Sequence, residues 1–127
     1  MSNVPADLQY TKDHEWARVE GRKVTVGVTA FAVEQLGDIT LVSLDAKVGQ
    51  KIEAGKAFGT IESVKTLSDL YAPLSGTIVE VNGALDSAPE LVNDDCYGKA
   101  WMIVLEVDAD VTGLLHAADY EAHLAKQ

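Results

Sequence analysis

Gly59-Thr60-Ile61-Glu62-Ser63-Val64-Lys65-Thr66-Leu67-Ser68-Asp69 sets one lysine between two stretches that read as strands. In the middle of a strand, a lysine must order a long charged side chain and weakens the strand. At the tip of a hairpin the same residue costs little and reaches solvent. Its amine is then open to acylation, which removes the charge and adds a group with its own chemistry. The arms, Ala57 to Val64 and Thr66 to Ala72, are of similar length, so a hairpin would project Lys65 from the body. Ser63, Val64 and Thr66 are small or β-branched and frame the tip without covering it. Glu62 and Asp69 bracket the lysine in charge and could hold its ammonium, although an exposed pair contributes only ~0–1 kcal/mol. Val64-Lys65 is not the Asn-Gly or Asp-Gly of a two-residue hairpin, but a type I turn accepts most residues.

Upstream of this stretch, Glu15 to Val28 reads as another hairpin, with Glu20-Gly21 at its turn and clean alternation through Val24-Thr25-Val26-Gly27-Val28. Thr29 to Leu36 predicts a short helix, N-capped by Thr29 and stopped by Gly37. Ala32, Val33 and Leu36 share one of its faces. Ile39 to Leu44 alternates again, and Val48 to Gly55 is turn-like. Downstream, Thr77 to Val81 is a strand, and Asn82-Gly83 is a strong turn signal. The stretch 84–100 reads as loop, Trp101 to Val107 as a last strand, and Asp108 onward as helical, with Asp119 capping a final turn. Gly before a short alternating strand recurs in the Val48 to Ile61 and Pro73 to Val81 segments, the rhythm of a pseudo-repeat. Short strands with Gly at the corners predict one mainly β domain over 1–127, a small sandwich or barrel.

Bulk properties narrow the function. The 127 residues carry a formal net charge of -10, which repels phosphate backbones and anionic membranes and favours protein partners with basic patches. Nucleic acid and membranes are therefore not expected partners, and no apolar run approaches the ~20 residues of a membrane span. The one cysteine, Cys96, cannot form an intrachain disulfide, and Asp94 and Asp95 disfavour its thiolate. Residues Met1 to Asp7 resemble neither a secretory signal nor an Arg-rich transit peptide. The expected location is the cytoplasm, or the mitochondrial matrix if a presequence has been removed. His14, His116 and His123 lack metal-ligand spacing, so no metal is expected, and His14 is expected to pack beside Trp16. Trp16 and Trp101 read as core aromatics.

Ile61-Glu62-Ser63-Val64-Lys65-Thr66, followed by Ser68-Asp69, Ala72-Pro73 and Ser75-Gly76, resembles the lipoyl-attachment motif of the glycine cleavage H-protein family. The likeness runs along nearly the whole chain: His14-Glu15-Trp16, Val26-Gly27-Val28-Thr29, Leu36-Gly37-Asp38, Pro89-Glu90-Leu91-Val92-Asn93, Tyr97-Gly98 and Trp101-Met102 match in order. The resemblance implies a lipoyl/biotinyl-type barrel-sandwich hybrid with short added helices, one after Thr29 and one or two at the C-terminus. It implies lipoate in amide linkage to Lys65, with Glu62, Ser63, Val64 and Thr66 as the frame read by a lipoate-attaching enzyme. It implies a carrier that catalyses nothing itself. The carrier takes the aminomethyl group of glycine from a pyridoxal-phosphate glycine decarboxylase to a folate-dependent aminomethyltransferase, and electrons to a flavin dihydrolipoamide dehydrogenase. By position, Glu15, Asp69 and Asp13 resemble acidic residues of the groove that shelters the cationic aminomethyl group. Phe31 and Val33 stand where the family usually has a polar pair, and Asp45 where it usually has proline. Two alternatives share these residues. One is an H-like lipoyl protein in lipoate relay or another partner-binding role. The other is a biotin carrier, disfavoured because Val64 and Thr66 replace the methionines that usually flank the biotinyl lysine.

Overall fold

The computed structural model describes residues 4–108 and 113–126. The chain is mainly β, as expected, with ten strands among the described residues in two antiparallel sheets. Strands β1 (Gln9–Tyr10), β2 (Glu15–Glu20), β3 (Lys23–Val28), β5 (Lys51–Ile52), β8 (Gly76–Val81), β9 (Ile103–Glu106) and β10 (Leu115–His116) form one, in the order β10-β1-β2-β3-β9-β8-β5. Strands β4 (Ile39–Leu44), β6 (Ala57–Ser63) and β7 (Leu67–Tyr71) form the other, in the order β4-β6-β7. The predicted β2–β3 hairpin turns through Gly21, whose φ of 65° suits glycine. Its in-register pairs put Val24, Val26 and Val28 on the core. Those valines meet Val42, Phe58, Ile61 and Leu70 from the three-stranded sheet, so each sheet buries one face against the other.

Helix α1 (Ala30–Leu36) forms where predicted. Thr29 Oγ1 accepts the Ala32 N–H at 3.3 Å, and Gly37 ends the helix at φ 82°. Leu36 is buried, and Ala32 and Val33 pack against the same cluster. Asp45, where the family usually has proline, donates its N–H to Phe58 O at 3.0 Å, a bond proline has no hydrogen to make.

Several expectations fail for identifiable reasons. The stretch 84–100 is not plain loop: it holds two single helical turns, α2 (Ala84–Ser87) and α3 (Leu91–Asp94). Buried Leu85 and Val92 pin them to the core, and tertiary packing overrides the polar composition. Asn82-Gly83 is not a hairpin turn. Asn82 donates its amide to Lys99 O (3.0 Å) and Trp101 O (2.6 Å) and accepts the Ala84 N–H, leading β8 into α2. Within the turn-like 48–55, Lys51–Ile52 pairs with β8. The last long strand begins at Ile103, not Trp101. The helix expected from Asp108 begins only at Ala117 (α4, Ala117–Ala125), because Leu115–His116 forms an edge strand on β1, while 109–112 lie outside the described residues. His116, not Asp119, is the N-cap of α4, and Asp119 lies in its first turn. Helix α4 docks through buried Tyr120, which stacks on Tyr10 with centroids 4.7 Å apart.

Candidate functional site: a hairpin-tip lysine and an acidic cleft

Strands β6 and β7 close around Ser63. Its N–H donates to Thr66 O at 2.8 Å, and its Oγ accepts the N–H groups of Lys65 and Thr66, each at 3.2 Å. One buried hydroxyl therefore organises the tip where residue preferences alone named no favoured turn. Lys65 is exposed, flanked by Val64 and Leu67 at 67% and 62% exposure. A Cβ built on Gly37 would lie 3.4 Å from Lys65 Cε, so the lysine stem runs over the end of α1. The charge bracket expected from Glu62 and Asp69 is not symmetric: Glu62 pairs with Leu67, whereas Asp69 sits further down opposite Thr60. Ser63→Ala is expected to lower stability by about 1 kcal/mol and to speed amide exchange at Lys65 and Thr66 while exchange in β2 and β3 stays at the parental rate.

Beside the hairpin lies a cleft of about 480 Å³. Phe31, Gln35 and Leu36 of α1 form one wall, Ser68 to Tyr71 of β7 another, and Lys12, Asp13, His14 and Glu15 the third. The cleft thus brings together all three acidic residues singled out from the sequence. Glu15 is buried at 3% exposure, and Thr11 Oγ1 donates to its Oε1 at 2.8 Å. Burial pushes its carboxyl up to about 8; the Thr11 hydrogen bond opposes this, the Asp13 charge adds to it, and the backbone of Tyr71 opposes it. Among the described residues, no cation contributes to offsetting its desolvation. Asp69 is exposed at the cleft and accepts the Tyr71 hydroxyl at 3.4 Å.

His14 does not pack beside Trp16 as expected. Its backbone is left-handed, at φ 69°, and lies just outside β2. The ring instead lies 4.6 Å from that of Phe31, and Nδ1 is 2.8 Å from the Tyr120 hydroxyl, which is 2.7 Å from Thr29 Oγ1. Burial, then His123, lowers the His14 pKa, and Asp13 opposes them. Phe31 thus stands in the cleft wall.

The Glu15 shift has a consequence for stability. The folded state holds a proton on Glu15 up to about pH 8, whereas the unfolded chain releases it near the ordinary value of 4.5. Folding therefore binds a proton in this window, and the Glu15 contribution to stability falls as pH rises through it. Glu15→Gln, which mimics the neutral acid, is expected to match the parent near pH 5 and to exceed it in Tm at pH 9. Thermal melts across that range measure the difference.

The glycine cleavage H-protein family model matches residues 8–127. A glycine cleavage system H protein of Symbiobacterium thermophilum is 53% identical over 124 residues, covering 96% of each chain. One from Bacillus subtilis is 50% identical over 121 residues, covering 94% of each. The crystal structure of the Mycobacterium marinum glycine cleavage system H protein superposes with a TM-score of 0.87 at 42% identity, covering 96% of this chain and 99% of that one.

The chain belongs to the glycine cleavage H-protein family.

The barrel-sandwich expected from the sequence is the family's fold, and the function is that of an H protein, a carrier subunit of the glycine cleavage system working with the system's enzymes. The aminomethyl and electron shuttling roles follow from the family. Among the described residues, no helix is long and apolar enough to cross a membrane, and no group of three His, Cys, Asp or Glu is placed to hold a metal ion. Burial, with Asp95 adding, pushes the Cys96 thiol up to about 11, so its thiolate is scarce at neutral pH.

Sequence reading missed the cleft residues Gln35, Ser68 and Tyr71, the cleft role of His14, and Thr11, which hydrogen-bonds Glu15. Tyr71 had a signal, since it lies two residues from Asp69 and so on the same strand face. Thr11 and Gln35 had none, because their roles arise only when separate elements meet.

Proposed function

We propose that Lys65 carries lipoate in amide linkage, and that the cleft lined by Glu15, Asp69 and Asp13 shelters the aminomethyl cargo. The observation that carries this reading is an exposed hairpin-tip amine beside a cleft whose buried carboxyl is kept protonated by burial. These residues fit the group. Nζ is accessible for amide formation, Phe31 and Leu36 offer apolar surface to an aliphatic arm, and the carboxyls of Asp13, Glu15 and Asp69 suit an ammonium. When bound, lipoate supplies a dithiolane that accepts a carbon unit and two electrons.

The chain's own work is presentation and shelter. Ser63 shapes the tip, and Glu62, Val64 and Thr66 frame it for the lipoate-attaching enzyme. A cationic cargo amine in the cleft lets Glu15 ionise, because the ammonium offsets the carboxylate's desolvation. Asp69 adds charge at the cleft mouth, and Asp13 contributes at longer range. The walls limit water at the cargo. Tethering holds the cargo at high local concentration for each partner, roughly mM for a flexible arm. Those partners are the pyridoxal-phosphate glycine decarboxylase, the folate-dependent aminomethyltransferase and the dihydrolipoamide dehydrogenase, met in the cytoplasm by a single carrier domain that catalyses no step.

Mixing the lipoylated chain with these three enzymes tests the reading: glycine-dependent NADH formation is expected. Silence despite full lipoylation would reject it in favour of a lipoyl-relay role. In a second arm, Glu15→Gln is loaded with the cargo and its spontaneous loss is followed. Loss about tenfold faster than from the parent is expected for removal of one buried charge partner, and equal rates would remove Glu15 from the shelter.

A further inference from the structure

Pro89-Glu90-Leu91-Val92-Asn93 matches a family motif, yet neither the cleft nor the lysine frame uses it. Its last residue sits on the single-turn helix α3, held by buried Val92. The Asn93 side chain makes two backbone hydrogen bonds. Its Nδ2 donates to Gly37 O at 3.0 Å, and its Oδ1 accepts the Ile39 N–H at 2.8 Å. Between these two residues, Asp38 turns its carbonyl the other way and accepts the Val64 N–H at 3.1 Å. The three residues Gly37, Asp38 and Ile39 thus link Asn93 on one side of the bond network to the lysine tip on the other. Gly37 also carries the stem of Lys65: a Cβ there would meet Lys65 Cε at 3.4 Å and Val64 Cγ2 at 3.9 Å. Its φ of 82° is one that other residues rarely hold.

We propose that Asn93 is a positioning residue for the modified lysine, locking the segment Gly37–Ile39 on which Val64 and Lys65 rest. Asn93 touches neither the amine nor the arm. It acts through the backbone of Gly37 and Ile39, and through Asp38 O on the hairpin. The inference rests on the reading of Lys65 as the lipoyl site. Its physical content is pre-organisation: a tip held in one geometry binds a modifying enzyme without first being ordered, and a loosened tip raises the apparent KM by the inverse of its competent fraction.

The test measures initial rates of lipoyl transfer to the folded chain by a lipoate-attaching enzyme, across chain concentrations. Asn93→Ala is expected to raise KM roughly tenfold with kcat within a factor of about two, since the bound tip has the same geometry. Asn93→Asp keeps the acceptor for the Ile39 N–H but turns a carboxylate oxygen toward Gly37 O, where no hydrogen bond can form, so its KM is also expected to rise above the parental value. Asp94→Ala, on the same turn, is expected to keep the parental KM. Hydrogen exchange adds a readout that global destabilisation would not reproduce: the Val64 amide speeds up in Asn93→Ala while β2 and β3 amides keep their rates. Parental KM and parental Val64 exchange in Asn93→Ala would overturn the inference, as would an equal KM rise in Asp94→Ala. A parent chain that is never lipoylated defeats the reading of Lys65 instead, and the Val64 exchange still decides whether Asn93 holds the tip.

Discussion

Lys65→Arg is expected to abolish lipoylation and to reduce glycine-dependent NADH formation to the level seen without the chain. Arginine keeps the positive charge and most of the reach, and the residue is exposed at the hairpin tip, so the fold has little to lose. What changes is chemistry. A guanidinium stays protonated at any ordinary pH and is not acylated as an amine is. The turn geometry comes from Ser63 and from the Val64 bond to Asp38, neither of which involves the lysine side chain. The variant should therefore melt within about 1 °C of the parent, as exposed substitutions usually do. Intact mass of both proteins, produced with a lipoate-attaching enzyme, gives the first readout. The reconstituted glycine assay gives the second. A lipoyl mass retained on the arginine variant would move the attachment site to another lysine. A biotin mass on the parent would favour the biotin-carrier alternative.

Trp16→Ala is expected to cost about 3–5 kcal/mol and to lower Tm by roughly 10–20 °C. Trp16 is buried, and its indole N–H donates to Cys96 O at 2.8 Å. Its ring covers Gly27 so closely that a Cβ there would lie 2.6 Å away. The Arg18 guanidinium lies over the ring, 5.1 Å from its centroid. Truncation would open a cavity between the β2–β3 hairpin and the Cys96–Tyr97 segment and strand the Cys96 carbonyl. Trp16→Phe keeps most of the volume and loses the hydrogen bond, so it should lie between parent and alanine. Thermal or urea unfolding measures the series. A Trp16→Ala loss below about 1 kcal/mol would mean that the site collapses freely around the gap.

Residues near one another in the chain carried much of the architecture. The β2–β3 hairpin follows from alternation plus Gly21, α1 from Thr29 and Gly37, and the β6–β7 hairpin from two β-patterned arms around Lys65. Each is a local pattern acting on adjacent backbone. Elements held by distant partners were misread. α2 and α3 depend on Leu85 and Val92 reaching the core, and β10 exists only because β1 lies beside it.

The chain's own order of residues determined which amine is offered, because a projecting lysine between two β-patterned arms is a property of a short stretch. Tertiary structure alone decided the rest. It sank Glu15 into a water-poor wall, where desolvation keeps it neutral to about pH 8. It brought Phe31 and Tyr71 to the same cleft from different elements, and it set Asn93 against the backbone that carries the lysine. Desolvation and pre-organisation are both effects of neighbours supplied by remote parts of the chain, and no local pattern encodes them.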